Sequence, residues 1–214
     1  SDDNFGNQNN LQNLLYYDNT KFILEEEIIV PTYLRDFNVY KLKLNTVDQA
    51  TNPISFYVIV CHLKASSGIT NEQGRFDMVE DLEDYLDTLP ANTNVLLGGD
   101  LNLYTASEAA FQNLLSDSNN ITFIDPADRV GSWHNNTNYV DVFTQSTRTQ
   151  NGFGGSTGGF DDRFDFILAS ENMLSTADIT YTTNSYQVYG NNGLVSYYNE
   201  SIISSNCETT GSQF

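Results

Sequence analysis

The stretch Ile54–Lys64, ISFYVIVCHLK, is apolar on both of its alternating faces. A strand of that kind needs cover on both sides, so it belongs in the middle of a sheet. From Arg75 to Leu89 the apolar residues Phe76, Val79, Leu82, Tyr85, Leu86 and Leu89 recur at spacings of three and four, with acidic residues on the other face and Pro90 after the end. That spacing predicts an amphipathic helix whose Phe76, Val79, Leu82 and Leu86 pack on a sheet. NVLLGG follows as a short buried strand. Thr105 to Glu108 then has the Thr-x-x-Glu pattern of a capping box, and SEAAFQNLL should continue it as a second helix.

The flanks are read in the same way. LLYYDNTKFIL, with an Asp-Asn turn signal, predicts a hairpin, and EEEIIV before Pro31 another strand. FNVYKLKLN sets Val39, Lys41 and Lys43 against Tyr40, Leu42 and Leu44, the alternation of a strand with one wet face. Asn151–Gly159 is a glycine-rich loop, RFDFILAS a buried strand, and the last thirty residues carry weak strand signals. Hairpins followed by strand, helix, strand and helix predict a mixed α/β layered fold in one domain spanning residues 1–214. Mobility is expected for residues 1–10 and 184–214.

Lys and Arg total 9 against 28 Asp and Glu, a formal charge of −19, and no basic residue follows Arg163. A general electrostatic grip on nucleic acid requires clustered Lys and Arg, which this chain lacks. An acidic surface also simply keeps a protein in solution. No run of eighteen or more apolar residues exists, so no membrane span is expected. The start, SDDNFGNQNN, is not a signal peptide, although a mature chain would lack one in any case. Low Lys with abundant Asn, Thr, Ser and Tyr points to an extracellular or periplasmic bacterial protein. Cys61, inside an apolar run, reads as a buried free thiol, and with Cys207 it makes no metal-ligand spacing.

Four positions could carry chemistry. Asp100 and Asn102 stand two apart after the NVLLGG strand. In an extended segment their side chains point the same way, an acceptor for a metal or water beside an amide donor for a phosphoryl oxygen. The same pair also reads as an Asx turn capping the next helix. The glycines before them let another backbone or a ligand come close. His62 ends the central strand, where it can serve a leaving group or a phosphate oxygen, or be a satisfied half-buried residue. Asp165, between Phe164 and Phe166, needs a partner, either Arg163 on the same face or a histidine. Asp161 and Asp162 are assigned to the loop, and His134, in GSWHNNTNY, reads as a surface residue. The glycine-rich stretch lacks the lysine and the spacing of nucleotide-binding loops.

Taken in order, VIVCHLKAS, VLLGGDLN with SEAAFQNLL, DVFTQSTRT and DDRFDFILAS resemble the endonuclease/exonuclease/phosphatase superfamily, the deoxyribonuclease-I-like fold, from roughly Leu14 to Ser170. The resemblance implies a layered α/β sandwich with mixed, largely antiparallel sheets. It implies a metal-dependent phosphodiester hydrolase, most simply a secreted nuclease acting on DNA or RNA, with Mg²⁺ or Mn²⁺, or Ca²⁺, as cofactor. It implies that His62 contacts the scissile phosphate and acts as general acid, and that Asp100 and Asn102 orient the attacking water and hold the phosphate near the metal. Asp165 would orient a second catalytic histidine, and Arg163 joins His62 and Asn102 as a substrate-binding residue. Asp100 and Asn102 are the expected metal ligands.

The chain also departs from the family. The family's first strands carry an Asn and then a Glu, the principal metal ligand, and no such elements precede Leu14. The family ends in Ser-Asp-His, and no histidine follows His134. The chain is therefore expected to be a fragment, incomplete at both ends and inactive or nearly so by itself. The alternatives are a non-catalytic binding or scaffold domain, or a phosphoesterase acting on lipid head groups or inositol phosphates.

Overall fold

The computed structural model describes residues 13–144, 159–174, 178–189, 191 and 193–198. In chain order the elements are β1 (Phe22–Val30), β2 (Phe37–Leu44), β3 (Ser55–His62), α1 (Ile69–Leu86), β4 (Val95–Asp100), α2 (Ala109–Leu114), β5 (Phe123–Ile124) and β6 (Asp165–Ser170). The strands form one sheet in the order β1-β2-β3-β4-β6-β5. All neighbours are antiparallel except β3 and β4, because α1 carries the chain back from the end of β3 to the start of β4. The expected fold class, α/β with a mixed and largely antiparallel sheet, is the one observed. Among the described residues no helix is long and apolar enough to cross a membrane.

Both helices cover one face. Ile59 and Cys61 of β3, Leu97 of β4 and Leu168 of β6 form one buried cluster with Met78 and Leu82 of α1 and Phe111 of α2. Each fully buried Leu there contributes about 1.5–3 kcal/mol. Phe111, Trp133 and Phe166 meet edge-on or tilted, with centroids 5.3–5.7 Å apart. Strand alternation turns the intervening residues to the other face. There Ile167 is 55% exposed, and there His62, Asp100 and Asp165 project. Gly99, at φ 145°, lets β3 and β4 approach: a Cβ on it would lie 2.0 Å from the carbonyl oxygen of Cys61. That close approach brings the ends of these two strands level.

Several sequence expectations change. The Asp-Asn signal makes a turn, with Asp18 accepting from the backbone of Lys21 and Phe22, but no strand precedes it among the described residues. KFIL and EEEIIV belong to one strand, β1, broken by a bulge between Leu24 and Glu26. β2 has no continuous wet face: Val39 and Tyr40 are both buried. Only its far end is polar, where Lys41 and Lys43 pair with Glu25 at 3.7 and 3.3 Å.

Helix α1 starts at Ile69, well before Arg75. Its early turns bury Gly74 and Arg75 rather than apolar side chains, so the periodic signal begins late. Val79, Leu82 and Leu86 are buried as expected, and Phe76 only partly. The capping box does not form. The cap position of α2 is Glu108, whose carboxylate accepts from the backbone of Tyr104 at 2.8 Å and from Arg75 Nε at 2.7 Å. DVF lies at the end of a short 3-10 helix, Thr137–Val142, rather than in a strand. Thr144 follows in the chain, while QSTRT and most of the glycine-rich loop lie outside the described residues. Asp165 begins β6 instead of sitting inside a strand. Cys61 is a buried free thiol, and burial pushes its pKa far up. Cys207 lies outside the described residues.

Candidate active site

Strand register assembles the site. His62 pairs with Asp100 in the β3–β4 ladder, and Asp100 pairs with Asp165 in the β4–β6 ladder. Three expected residues, far apart in the chain, thus stand in one row on one face of three adjacent strands. His62 Nε2 lies 3.6 Å from Asp100 Oδ2, with their side chains 29% and 33% exposed. That is too long for a hydrogen bond.

The electrostatics of the row are tense. Burial, and then the neighbouring Asp165, raise Asp100 to about 6, while the backbone N–H of Asn102 and the charge of Arg35 oppose the rise. Burial also raises Asp165, against a lowering contribution from Thr144. Burial, and then the charge of Arg35, depress His62 to about 4. His62 is therefore a neutral imidazole at pH 7 in the resting protein. In that form it is suited to donate a hydrogen bond or accept a proton.

Asn102 does not share a strand face with Asp100. β4 ends at Asp100, and Asn102 has a positive φ of 50°, so two-residue alternation stops before it. The Asp100 carboxylate accepts from the Asn102 N–H at 2.9 Å. This is the Asx turn, but it is set well ahead of α2 and so does not cap that helix. The Asn102 side-chain amide donates instead to the carbonyl of Leu63 at 3.2 Å, which ties it to the end of β3. The four residues His62, Asp100, Asn102 and Asp165 are brought together, the last through its neighbour Asp100.

Arg163 is not brought into this group. Its guanidinium is buried, donates to both oxygens of Asp125 at 2.7 and 2.8 Å, and lies 4.1 Å over the Phe166 ring. The expected contact with Asp165 or with substrate is replaced by this internal pair. Asp165 takes Thr144 as its neighbour instead, and the Thr144 hydroxyl accepts from the N–H groups of Phe164 and Asp165 at 3.1 and 2.9 Å.

Three features went unread in the sequence. Arg35, 9% exposed, donates from Nη1 to the carbonyls of His62 and Leu63 at 3.0 and 2.7 Å. Arg75 donates to the carbonyls of Lys64 and Ser66 at 2.8 and 2.9 Å and pairs with Glu108 at 2.6 Å, clamping the loops that follow β3 and β4. His134 is not a bare surface residue: its Nδ1 lies 2.9 Å from both oxygens of the buried Asp162. Only an arginine's frequent use as a carboxylate or carbonyl clamp could have flagged the first two.

A cleft of about 930 Å³ borders Asp165 and Thr144 on the open sheet face and is lined by Phe143, Phe160, Ile167 and Tyr186. His62 and Asp100 do not line it, so its size is no guide to the chemistry.

Asp100, Asn102 and Asp165 offer hard oxygen donors of the kind Mg²⁺ or Mn²⁺ take. A carboxylate whose pKa is raised by a second one, as that of Asp100 is by Asp165, is also what a divalent cation relieves. Among the described residues no group of three or more His, Cys, Asp and Glu side chains is placed to hold an ion.

No family model matches this chain, and no curated protein matches it. Solved structures do. The human Nocturnin catalytic domain with bound sulfate aligns over 77% of this chain and 55% of its own at 19% identity, with a TM-score of 0.47. D. rerio TDP2 in complex with a single-strand DNA product aligns over 71% and 54% at 19% identity, TM-score 0.45. An endonuclease/exonuclease/phosphatase family protein from Bacteroides thetaiotaomicron aligns over 73% and 54% at 14% identity, TM-score 0.44. The chain spans about half the length of these matched structures.

Proposed function

We propose that this chain carries part of the catalytic centre of a divalent-metal-dependent phosphodiester hydrolase, and that its substrate is nucleic acid. The observation that supports this best is the row of His62, Asp100 and Asp165 set in register across three adjacent strands. Hydrolysis of a phosphodiester needs an acceptor for the attacking water, donors for the phosphoryl oxygens, and positive charge against the charge that develops. Asp100 is the acceptor that orients the water. His62, neutral, donates an N–H to a phosphoryl oxygen. The Asn102 amide, with one N–H on the Leu63 carbonyl, has a second N–H to give a phosphoryl oxygen. Asp100, Asn102 and Asp165 contribute oxygens to the metal. The cation, when bound, neutralises charge on the phosphate. With a net charge of −19, contacts to a nucleic acid would be few and local, which suits a scavenging enzyme outside the cell better than a sequence reader.

The test is nicking of supercoiled plasmid DNA by the complete gene product with Mg²⁺. Activity should vanish with EDTA and with Asp100→Ala. Unchanged nicking by Asp100→Ala would end the assignment.

A further inference from the structure

Arg35 is the buried cation nearest in role to the proposed centre, and none of the chemistry above uses it. It sits in the connection between β1 and β2, whose backbone is locked on several sides. The Thr32 N–H donates to Asp36 at 2.9 Å, and the Thr32 hydroxyl donates to the carbonyl of Arg35 at 2.9 Å. The same hydroxyl accepts from the N–H groups of Leu34 and Arg35 at 3.1 and 3.2 Å. From this fixed base Nη1 reaches the carbonyls of His62 and Leu63, 27 and 28 residues away in the chain. The Leu63 carbonyl is shared, since it also accepts from the Asn102 amide at 3.2 Å. The Leu63 N–H donates to the Asp100 carbonyl at 2.9 Å. One guanidinium nitrogen therefore stands behind the backbone of His62 and, through one oxygen, behind the side chain of Asn102.

Burying a guanidinium costs several kcal/mol unless its donors are matched, and here Nε is buried without a hydrogen-bond partner. An apolar residue would fill the space without that penalty. The guanidinium's use lies in fixing the end of β3, where the Leu63 carbonyl would otherwise be held by the Asn102 amide alone.

We propose that Arg35 is a positioning residue: by holding the carbonyls of His62 and Leu63 it sets the His62 ring and the Asn102 amide at the spacing the reaction needs. This rests on the functional reading above, but the second of its two readouts does not. The comparison is wild type, Arg35→Lys and Arg35→Met in the complete gene product, with bis(p-nitrophenyl) phosphate and Mg²⁺. A displacement of about 1 Å in a catalytic group costs on the order of a hundredfold. Arg35→Met should lower kcat by about that factor with KM within about threefold, and Arg35→Lys, which can keep one carbonyl contact, should recover part of the loss. A rise in KM with kcat unchanged would make Arg35 a substrate contact and overturn the proposal, as would a kcat within about twofold of wild type.

The second readout needs no activity. In Arg35→Met the carbonyl ¹³C shifts of His62 and Leu63 and the side-chain amide shifts of Asn102 should move. Unmoved shifts in a folded variant overturn the proposal. If Arg35→Met does not fold, Arg35→Lys carries both readouts. If wild type hydrolyses nothing, the functional reading fails and the shifts alone decide whether Arg35 holds these groups.

Discussion

The protein contains two histidine–carboxylate pairs, and they are built in opposite ways. His134 Nδ1 meets both oxygens of Asp162 at 2.9 Å, and the Asp162 side chain is only 4% exposed. His62 stops 3.6 Å short of Asp100. Burial pushes Asp162 up to about 6, and the hydrogen bond and charge of His134 oppose it. Asp100 reaches a similar value, pushed by burial and Asp165 as Asp162 is by burial and Asp161, but no histidine bond opposes the rise there, only the Asn102 N–H and the more distant charge of Arg35. One pair answers its burial from within the fold. The other is left with an unmet demand for positive charge, the condition that marks a place for a ligand rather than a finished internal bond.

The sharpest way to break this contrast is to remove each carboxylate in turn. Asp100→Ala should lower kcat of the complete protein by about a thousandfold, within the usual range for a lost acid–base group. Its melting temperature should not fall, because the change also removes the repulsion with Asp165. Asp162→Ala should do the reverse. It strands His134 without its partner and costs about 2 kcal/mol of stability, with activity per folded molecule within about threefold of wild type. Urea unfolding beside initial rates reads both. If Asp162→Ala abolished activity without destabilising, the tight pair would belong to the chemistry and the contrast would be wrong.

Glu83 sharpens the comparison as a carboxylate with no histidine at all. Both its oxygens are buried without a hydrogen-bond partner, and burial, then Asp87, raise it from 4.5 to about 8. The folded protein therefore binds a proton that the unfolded chain has already lost between about pH 4.5 and 8. Stability should fall as pH rises through that window and level off above it. The urea midpoint of wild type should drop from pH 5 to pH 8, by up to a few kcal/mol in free energy. Glu83→Gln should flatten that decline. A decline of the same size in Glu83→Gln would place its cause elsewhere.

What was legible in the sequence follows from which of these groups are set by local pattern. β3, β4, β6 and the later turns of α1 were read correctly because their burial repeats at two or at three to four residues, and repetition is local. His62 and Asp100 were read because each stands at the end of such a strand, and Asp165 because a carboxylate between two phenylalanines needs a partner. The shared face of Asp100 and Asn102 was misread: a single residue with φ of 50° breaks the alternation, as the competing Asx-turn reading of the same pair requires. The polar bonds were illegible for a different reason. Arg163 and Asp125 are 38 residues apart, and His134 and Asp162 are 28 apart. Arg75 looks like the solvated edge of a helix until Glu108 is folded onto it. A charged residue carries no sequence sign of which distant carboxylate will bury it, so the internal bonds of the fold were hidden while its open site was visible.

The smallest effect tests whether the unmet demand at Asp100 is for a cation. At a Mg²⁺ concentration about ten times its Kd, binding to the folded state alone adds about 1.4 kcal/mol, a rise of about 3–6 °C in Tm for a domain of this size. The rise should appear in the complete protein at pH 8, where Asp100, with its pKa near 6, is ionised, and should shrink at pH 5, where most of it is protonated. Asp100→Asn should abolish it, whereas Asp162→Asn should leave it intact, since His134 already answers that carboxylate. A Mg²⁺ shift that survives in Asp100→Asn would put the cation on other oxygens. In that case the loose pair differs from the tight one only in packing, and its open valence has no chemical meaning.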